Sequence, residues 1–348
     1  MQAKQLSGTW SLNLITRETR SFDKPWASSQ PGLRLQDHLR IIEQSAGRTV
    51  VEFIGTDDFA AQWHDRQRYE IEAGRDQEPL LYTPIYNTIS DPSLPRNVAV
   101  YTLGPAGVIF DEVTEGGDVR FLTVSDSSNL VPIKHYAVGV EYSKDLVIYN
   151  ELWNLPIIER AAGAAFNALL NHIHFAPFLN ATYTAANQTA ASAVGDTLVE
   201  KTLRTIEDAV ANASTDTTNP RRGPYALLVS SNNFFTVERA LTEVAQMGLT
   251  QQSSAVGRVQ HLIAYDGWGG TRGKKSVSYP GVTANTAYLI NLAFREQDHQ
   301  SYEKQPLQST LGGGDVTRFV LEQVVFDAYF GVYSNPTAST EEITLPTS

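Results

Sequence analysis

Val131-Pro-Ile-Lys-His-Tyr-Ala-Val-Gly-Val-Glu-Tyr-Ser-Lys-Asp-Leu146 runs on through Asn150-Glu-Leu-Trp153 into a stretch from about Asn154 to Ala176. The first part, Val131 to Val140, is apolar and β-branched enough for an extended strand. The last has apolar residues at Leu155, Ile158, Ala162, Ala165, Phe166, Leu169 and Ile173, three and four apart. That is the helix period, and it predicts an amphipathic helix with this stripe facing inward. Asn154 stands where an N-cap belongs, and Pro156 falls in the first turn, where it loses no hydrogen bond. Pro177 is expected to end the helix. Roughly 22 residues at ~1.5 Å each give a rod of ~33 Å. The run Ala161-Ala-Gly-Ala-Ala165 leaves room for very close approach by another element, with Gly163 at its centre.

Before the strand lies a hairpin pattern. Gly107-Val-Ile-Phe-Asp-Glu-Val113 and Val119-Arg-Phe-Leu-Thr-Val124 flank Thr114-Glu115-Gly116-Gly117-Asp118. Glycine supplies the positive φ of a tight hairpin turn. Arg48 to Ile54 reads as a further strand, and Asp57 to Tyr69 as a helix. The start, Met1 to Gly32, is polar and irregular, with Trp10, Phe22 and Trp26 scattered in it. An arm of isolated aromatics has no core of its own, so it must dock on this chain or on a neighbour, or else stay a loosely ordered tail.

After the helix, Ala181 to Ser192 is small and polar, as in a linker. Asp196 to Ala213 reads as an amphipathic helix with Leu198, Leu203, Ile206 and Val210 inward. Tyr225 to Ser230 is a buried strand, Asn233 to Met247 a helix closed by Gly248, and Val259 to Tyr265 and Thr286 to Leu292 are strands. This alternation predicts a compact α/β domain, with a Gly-rich basic loop from Asp266 to Val282. Val316 to Tyr333 reads as one or two strands, and Glu341 to Ser348 as a polar end.

The chain has 348 residues, 42% hydrophobic and 19% charged, which suits a folded protein with a sizeable core. Its net charge of −11 argues against tight nucleic-acid binding, since phosphate contacts need Lys and Arg. There is no cysteine, so disulfides, thiolate catalysis and cysteine zinc sites are excluded. No stretch reaches the ~20 apolar residues of a membrane helix, and the first residues lack a signal-peptide core.

Candidate chemistry fails residue by residue. Gly269-Gly-Thr-Arg-Gly-Lys-Lys-Ser276 has Trp268 where a phosphate loop needs Gly, and Lys275 where it needs Ser or Thr. His172 and His174 are two apart, so on a helix they diverge by roughly 200° and do not share a metal; they read as surface or interface histidines. Gly312-Gly-Gly-Asp315 lacks a strand before it and a helix after it, and reads as a turn between domains. Asp57-Asp58 and Glu341-Glu342 read as solvated charge. No cofactor, metal or catalytic residue is expected, which leaves only an enzyme with a scattered site as an enzymatic alternative.

Arm, hairpin, strand, long helix, α/β domain and returning strands, in this order, resemble the major capsid proteins of tailed bacteriophages, the Hong Kong 97-type fold. In that family an apolar strand leads to a Ser, an acidic residue and Leu, then to a spine helix; the matching positions are Ser143, Asp145 and Leu146. The resemblance implies an α+β fold divided as 1–32 N-terminal arm, 33–103 peripheral-domain and arm elements, 104–124 extended hairpin loop, 125–190 peripheral domain with spine helix, 191–310 axial domain, and 311–348 returning strands and tail. It implies a shell of homo-pentamers and homo-hexamers enclosing double-stranded DNA without sequence-specific binding, in a virion assembled in a host cytoplasm. Partners implied are a portal, a separate scaffold protein and a decoration protein, with no membrane. Intersubunit contacts are expected at Trp10, Phe22, Trp26, Glu115, Gly116, Gly117, Asp118 and Gly163. Some relatives weld subunits through a lysine on the extended loop; this chain has none between Lys24 and Lys134, so no such link is expected. Some carry a cleaved helical scaffolding segment; nothing before Leu33 fits one, which implies a separate scaffold or an already processed start. The nearest alternative is an encapsulin, a cargo compartment of the same fold.

Overall fold

A computed structural model describes residues 67, 69–100, 129–143, 155–217, 219–243, 256–272, 275–312 and 320–347. The expected arm, the expected hairpin at 104–124, residues 144–154 and the expected strand at 48–54 lie outside these residues.

The chain divides into two compact units, one of residues 1–79, 136–168 and 307–328, the other of residues 80–135, 169–306 and 329–348. Each is described by itself. The long helix α1 (Leu155–Asn180), strand β11 (His299–Gly312) and strand β12 (Val320–Ser334) all run from one unit into the other.

In the first unit, α1 meets a helical segment at 69–75. Two glycines make this crossing possible. A Cβ on Gly163 would collide with the carbonyl oxygen of Ile71, and a Cβ on Gly74 with the carbonyl oxygen of Arg160. The close approach expected of the Ala-Gly-Ala run is thus made, and its partner is this segment. Asn167 then closes the segment's end, donating from Nδ2 to the carbonyls of Arg75 at 2.9 Å and Glu78 at 2.8 Å. These are carbonyls that a helix end leaves without partners of its own. Arg160 Nε donates to the buried Glu70 at 2.5 Å. Strand β4 (Lys134–Ser143) is an edge strand beside β12; β1 (Asn87–Ser90), which belongs to the second unit, pairs parallel with β11.

In the second unit, a five-stranded sheet runs β5 (Gln188–Thr189), β13 (Thr340–Thr344), β10 (Thr286–Asn291), β6 (Tyr225–Val229), β7 (Val259–Ala264). β13 is antiparallel to β10 and parallel to β5, while β6 is antiparallel to β10 and parallel to β7. Every residue of β6 is buried. One face of it, Tyr225, Leu227 and Val229, packs with Ala287, Leu289 and Ile343 under helices α2 (Leu198–Thr215) and α3 (Ser231–Glu243) through Ile206, Val210 and Val237. A strand covered on both faces reads as an unbroken apolar run, which is how Tyr-Ala-Leu-Leu-Val reads. Helix α2 starts in a capping box: Glu200 N–H donates to Thr197 Oγ1, and Thr197 N–H donates to Glu200 Oε2. That arrangement is worth on the order of 1 kcal/mol.

Four expectations need correction. Pro177 lies inside α1, which continues to Asn180 because Phe178 is fully buried and anchors the last turn. The 266–282 loop is an antiparallel hairpin, β8 (Gly267–Arg272) with β9 (Lys275–Pro280), held by Trp268 stacked on Tyr279. The small polar segment after α1 is no free linker, since Asn187 and Thr189 are buried and β5 joins the sheet. The polar end is a strand inside the sheet. Two short helices, α4 (Arg295–Asp298) and α5 (Pro336–Ser339), precede β11 and β13.

Candidate functional site

The buried stripe of α1 is not the apolar one. Glu159, Gly163 and Asn167 are buried in the first unit, and Leu170, Asn171, His174, Phe175 and Phe178 in the second. Ala162, Ala165, Phe166, Leu169 and Ile173, expected inside, are half-buried, while Ile157 and Ile158 are 63% and 50% exposed. Asn167, Asn171 and His174 can lie inside because each has a partner far along the chain. Asn171 accepts from the Leu81 N–H at 2.9 Å, and His174 Nε2 shares a hydrogen bond with Ser301 Oγ at 2.9 Å. Gly163 therefore contacts the Ile71 backbone of its own chain. Trp10, Phe22, Trp26, Glu115, Gly116, Gly117 and Asp118 lie outside the described residues.

The two strands that flank residues 101–128 are described. Strand β2 (Asn97–Val100) pairs antiparallel with β3 (Asn129–Pro132), with Val100 opposite Asn129. Val100, Val131 and Tyr302 form a small core there, joined by Ile89, Leu94, Val98 and Tyr333. Asn129 Nδ2 donates to Tyr333 Oη at 3.1 Å, and Lys304 Nζ donates to the Leu94 carbonyl at 2.5 Å. Val100 and Asn129, the described residues on either side of 101–128, so stand side by side at one anchored point.

Two histidine–serine pairs invite a catalytic reading. His174 pairs with Ser301, and His299 Nδ1 pairs with Ser334 Oγ at 3.0 Å. Both rings are fully buried, and desolvation pushes each down to about 3, so both are neutral. His174 is stacked on Tyr82 at 3.5 Å between centroids and receives the edge of Tyr86, whose hydroxyl donates to the His174 carbonyl. His299 packs on Phe178. A base sealed among aromatic rings meets no substrate, so these are core histidines. His174 was expected at the surface; no local signal marks its burial, which depends on Tyr82, Tyr86 and Ser301. His172 stacks on Tyr279 at 4.3 Å, apart from His174, as their spacing requires. Among the described residues no cluster of His, Asp or Glu has metal-binding geometry.

The second unexpected feature is Glu341, read from sequence as solvated and found fully buried. Its carboxylate accepts from Thr189 at 2.7 Å, Asn212 at 2.6 Å and Arg221 Nη2 at 2.9 Å. Arg221 is itself 1% exposed and also faces Asp216 at 3.2 Å. Burial pushes the Glu341 carboxyl up, against the pull of these donors. The network fastens β13 to β5, α2 and the segment before β6. Glu342, its neighbour, remains at the surface and accepts from Gln188.

No sequence-family profile matches the chain, and no curated protein matches it. Solved structures do. A virus-like particle from Pyrococcus furiosus aligns over 80% of this chain and 98% of its own, at 11% identity and a TM-score of 0.50. The capsid of Cyanophage P-SCSP1u aligns over 78% of this chain and 89% of its own, at 10% identity and a TM-score of 0.50. With the hairpin root, the long helix and the two units in place, the chain has the α+β Hong Kong 97-type capsid fold.

Proposed function

We propose that the chain is a major capsid protein, a structural subunit without enzymatic activity. It self-assembles as pentamers and hexamers into an icosahedral shell around double-stranded DNA. One observation carries this reading: the fold match extends over 98% of the virus-like-particle chain. The anchored root at β2–β3 supports it, because residues 101–128 depart from a fixed base. A doubled chain of that length reaches at most ~45 Å, enough to cross a neighbouring subunit. In this reading 104–124 is the extended loop, 1–32 the arm, 33–103 and 125–190 peripheral elements with α1 as spine, 191–310 the axial domain, and 311–348 the return. Trp10, Phe22, Trp26 and Glu115 through Asp118 meet neighbouring subunits, and Gly163 packs the spine on its own subunit. A portal, a scaffold and a decoration protein are the further partners, and the shell forms in a host cytoplasm as part of a virion.

Negative-stain microscopy of the purified protein tests the reading. Closed shells, or rings of five or six, are expected. A uniform small particle in all conditions overturns it. Nucleic acid inside the shells fits a genome container, whereas a packed enzyme makes the chain an encapsulin-type compartment.

A further inference from the structure

Helices exposed to water carry charge on the outer face. α2 follows this, with Arg204 and Asp208 exposed, and so does α3, with Glu238 and Arg239. α1 does not. Glu159 and Arg160 are its only charged residues, the first buried and the second paired to Glu70. Residues 161–195 contain no Asp, Glu, Lys or Arg. In the first unit, the exposed side of α1 presents Ile157, Ile158 and Ala161, with Ala162 and Ala165 half-covered beside them. In this part of the helix Glu159 and Asn167 are turned inward while Ile157 and Ile158 face out, the reverse of the usual arrangement.

We infer that this charge-free face of α1 is a docking surface for a second copy of the chain. The inference rests on the shell reading and names the surface through which copies meet. Charge selects the occupant. Each copy carries −11, so two copies repel across most of their surfaces. A contact made on Ile157, Ile158, Ala161 and Ala165 brings no exposed acidic side chain of α1 to the interface, and the one cation of that helix, Arg160, is already paired to Glu70. The small alanines let a neighbouring element approach closely, and the two isoleucines supply the apolar anchor at one end. Gly163 and Asn167 fix the opposite side of the helix to the 69–75 segment, so the face is presented on a rigid support.

The absence of cysteine makes the test clean. Ile158→Cys places one thiol on the face, and its labelling by a maleimide is timed in free subunits and in assembled shells. Assembly is expected to slow labelling at position 158 at least ten-fold, and to slow it far less in the control Asp208→Cys on α2. Equal rates at 158 before and after assembly overturn the inference, as does slowing no greater than in the control. Protection already present in the free subunit also overturns it, because the chain's own residues then cover the face. Ile158→Glu is expected to cut the assembled fraction at least ten-fold while the free subunit unfolds at the wild-type temperature. A folded Ile158→Glu subunit that assembles normally is a second way for the inference to fail. A wild-type chain that never assembles removes the shell reading itself, which separates the two failures.

Discussion

At Gly163 the missing side chain is the structural fact. A Cβ there meets the Ile71 carbonyl oxygen, a backbone atom that cannot step aside. Gly163→Leu is therefore expected to destabilise the isolated subunit by at least ~1–3 kcal/mol, the usual range for overpacking. Gly139 on β4 has nothing within 4 Å of its would-be Cβ. Gly139→Ala should fall within ~0.5 kcal/mol of wild type, and urea midpoints of the two variants make the comparison. The buried histidines give a second residue-scale expectation. His174 and His299 are held near 3 in the folded chain, against about 6.5 when unfolded. Between those values the unfolded chain binds more protons, so stability falls as pH drops from about 6.5 toward 3, by ~1.4 kcal/mol per unit for each histidine. Asp298, raised by burial to about 6, acts the other way, losing stability as pH rises through that value. His299→Gln should remove one histidine's share of the slope in denaturation curves taken from pH 3.5 to 6.5. An unchanged slope would show that this ring is protonated without unfolding.

Single elements show where sequence reading succeeds and where it stops. The periods of α1, α2, β6, β7 and β10 are local, and all five elements form within a few residues of expectation. The side of α1 that faces its own subunit is not local information. Asn167, Asn171 and His174 look like an outer face until the carbonyls of Arg75 and Glu78, the Leu81 N–H and Ser301 are brought to them. The same holds for β13, where Glu341 reads as solvated unless Arg221, 120 residues earlier, is known to lie beside it. The β8–β9 hairpin was within reach, since Ser276-Val-Ser-Tyr279 alternates as a strand should. The hairpin root carries its own expectation. Val100 and Asn129 stand opposite one another, so an Asn-Gly turn can replace residues 101–128 without moving either strand. The shortened subunit should unfold within ~4 °C of wild type, a shift of roughly 1 kcal/mol at most. It should form no closed shells by microscopy. Normal shells from it would remove the long loop from assembly.

For the whole molecule, a charge of −11 on every copy sets the conditions of association. Raising salt from ~20 mM to ~300 mM shortens the Debye length from about 20 Å to below 10 Å, and so should speed assembly followed by light scattering. Slower assembly at higher salt would mean that opposite charges, not apolar faces, draw the copies together. The position of β13 has a consequence for timing and for fidelity. Residues 188–189 must wait for residues 342–343 before that edge of the sheet exists, and loop closures of such length fold late. A polypeptide terminated anywhere before residue 340 lacks the strand between β5 and β10, and its Arg221 keeps Asp216 but loses the Glu341 carboxylate. Such fragments are expected to leave the second unit unfolded and so to stay apart from finished copies, which co-expression with the full chain checks. The order of strands thus acts as a length inspection, performed by folding itself, that keeps truncated translation products out of whatever the finished chains build.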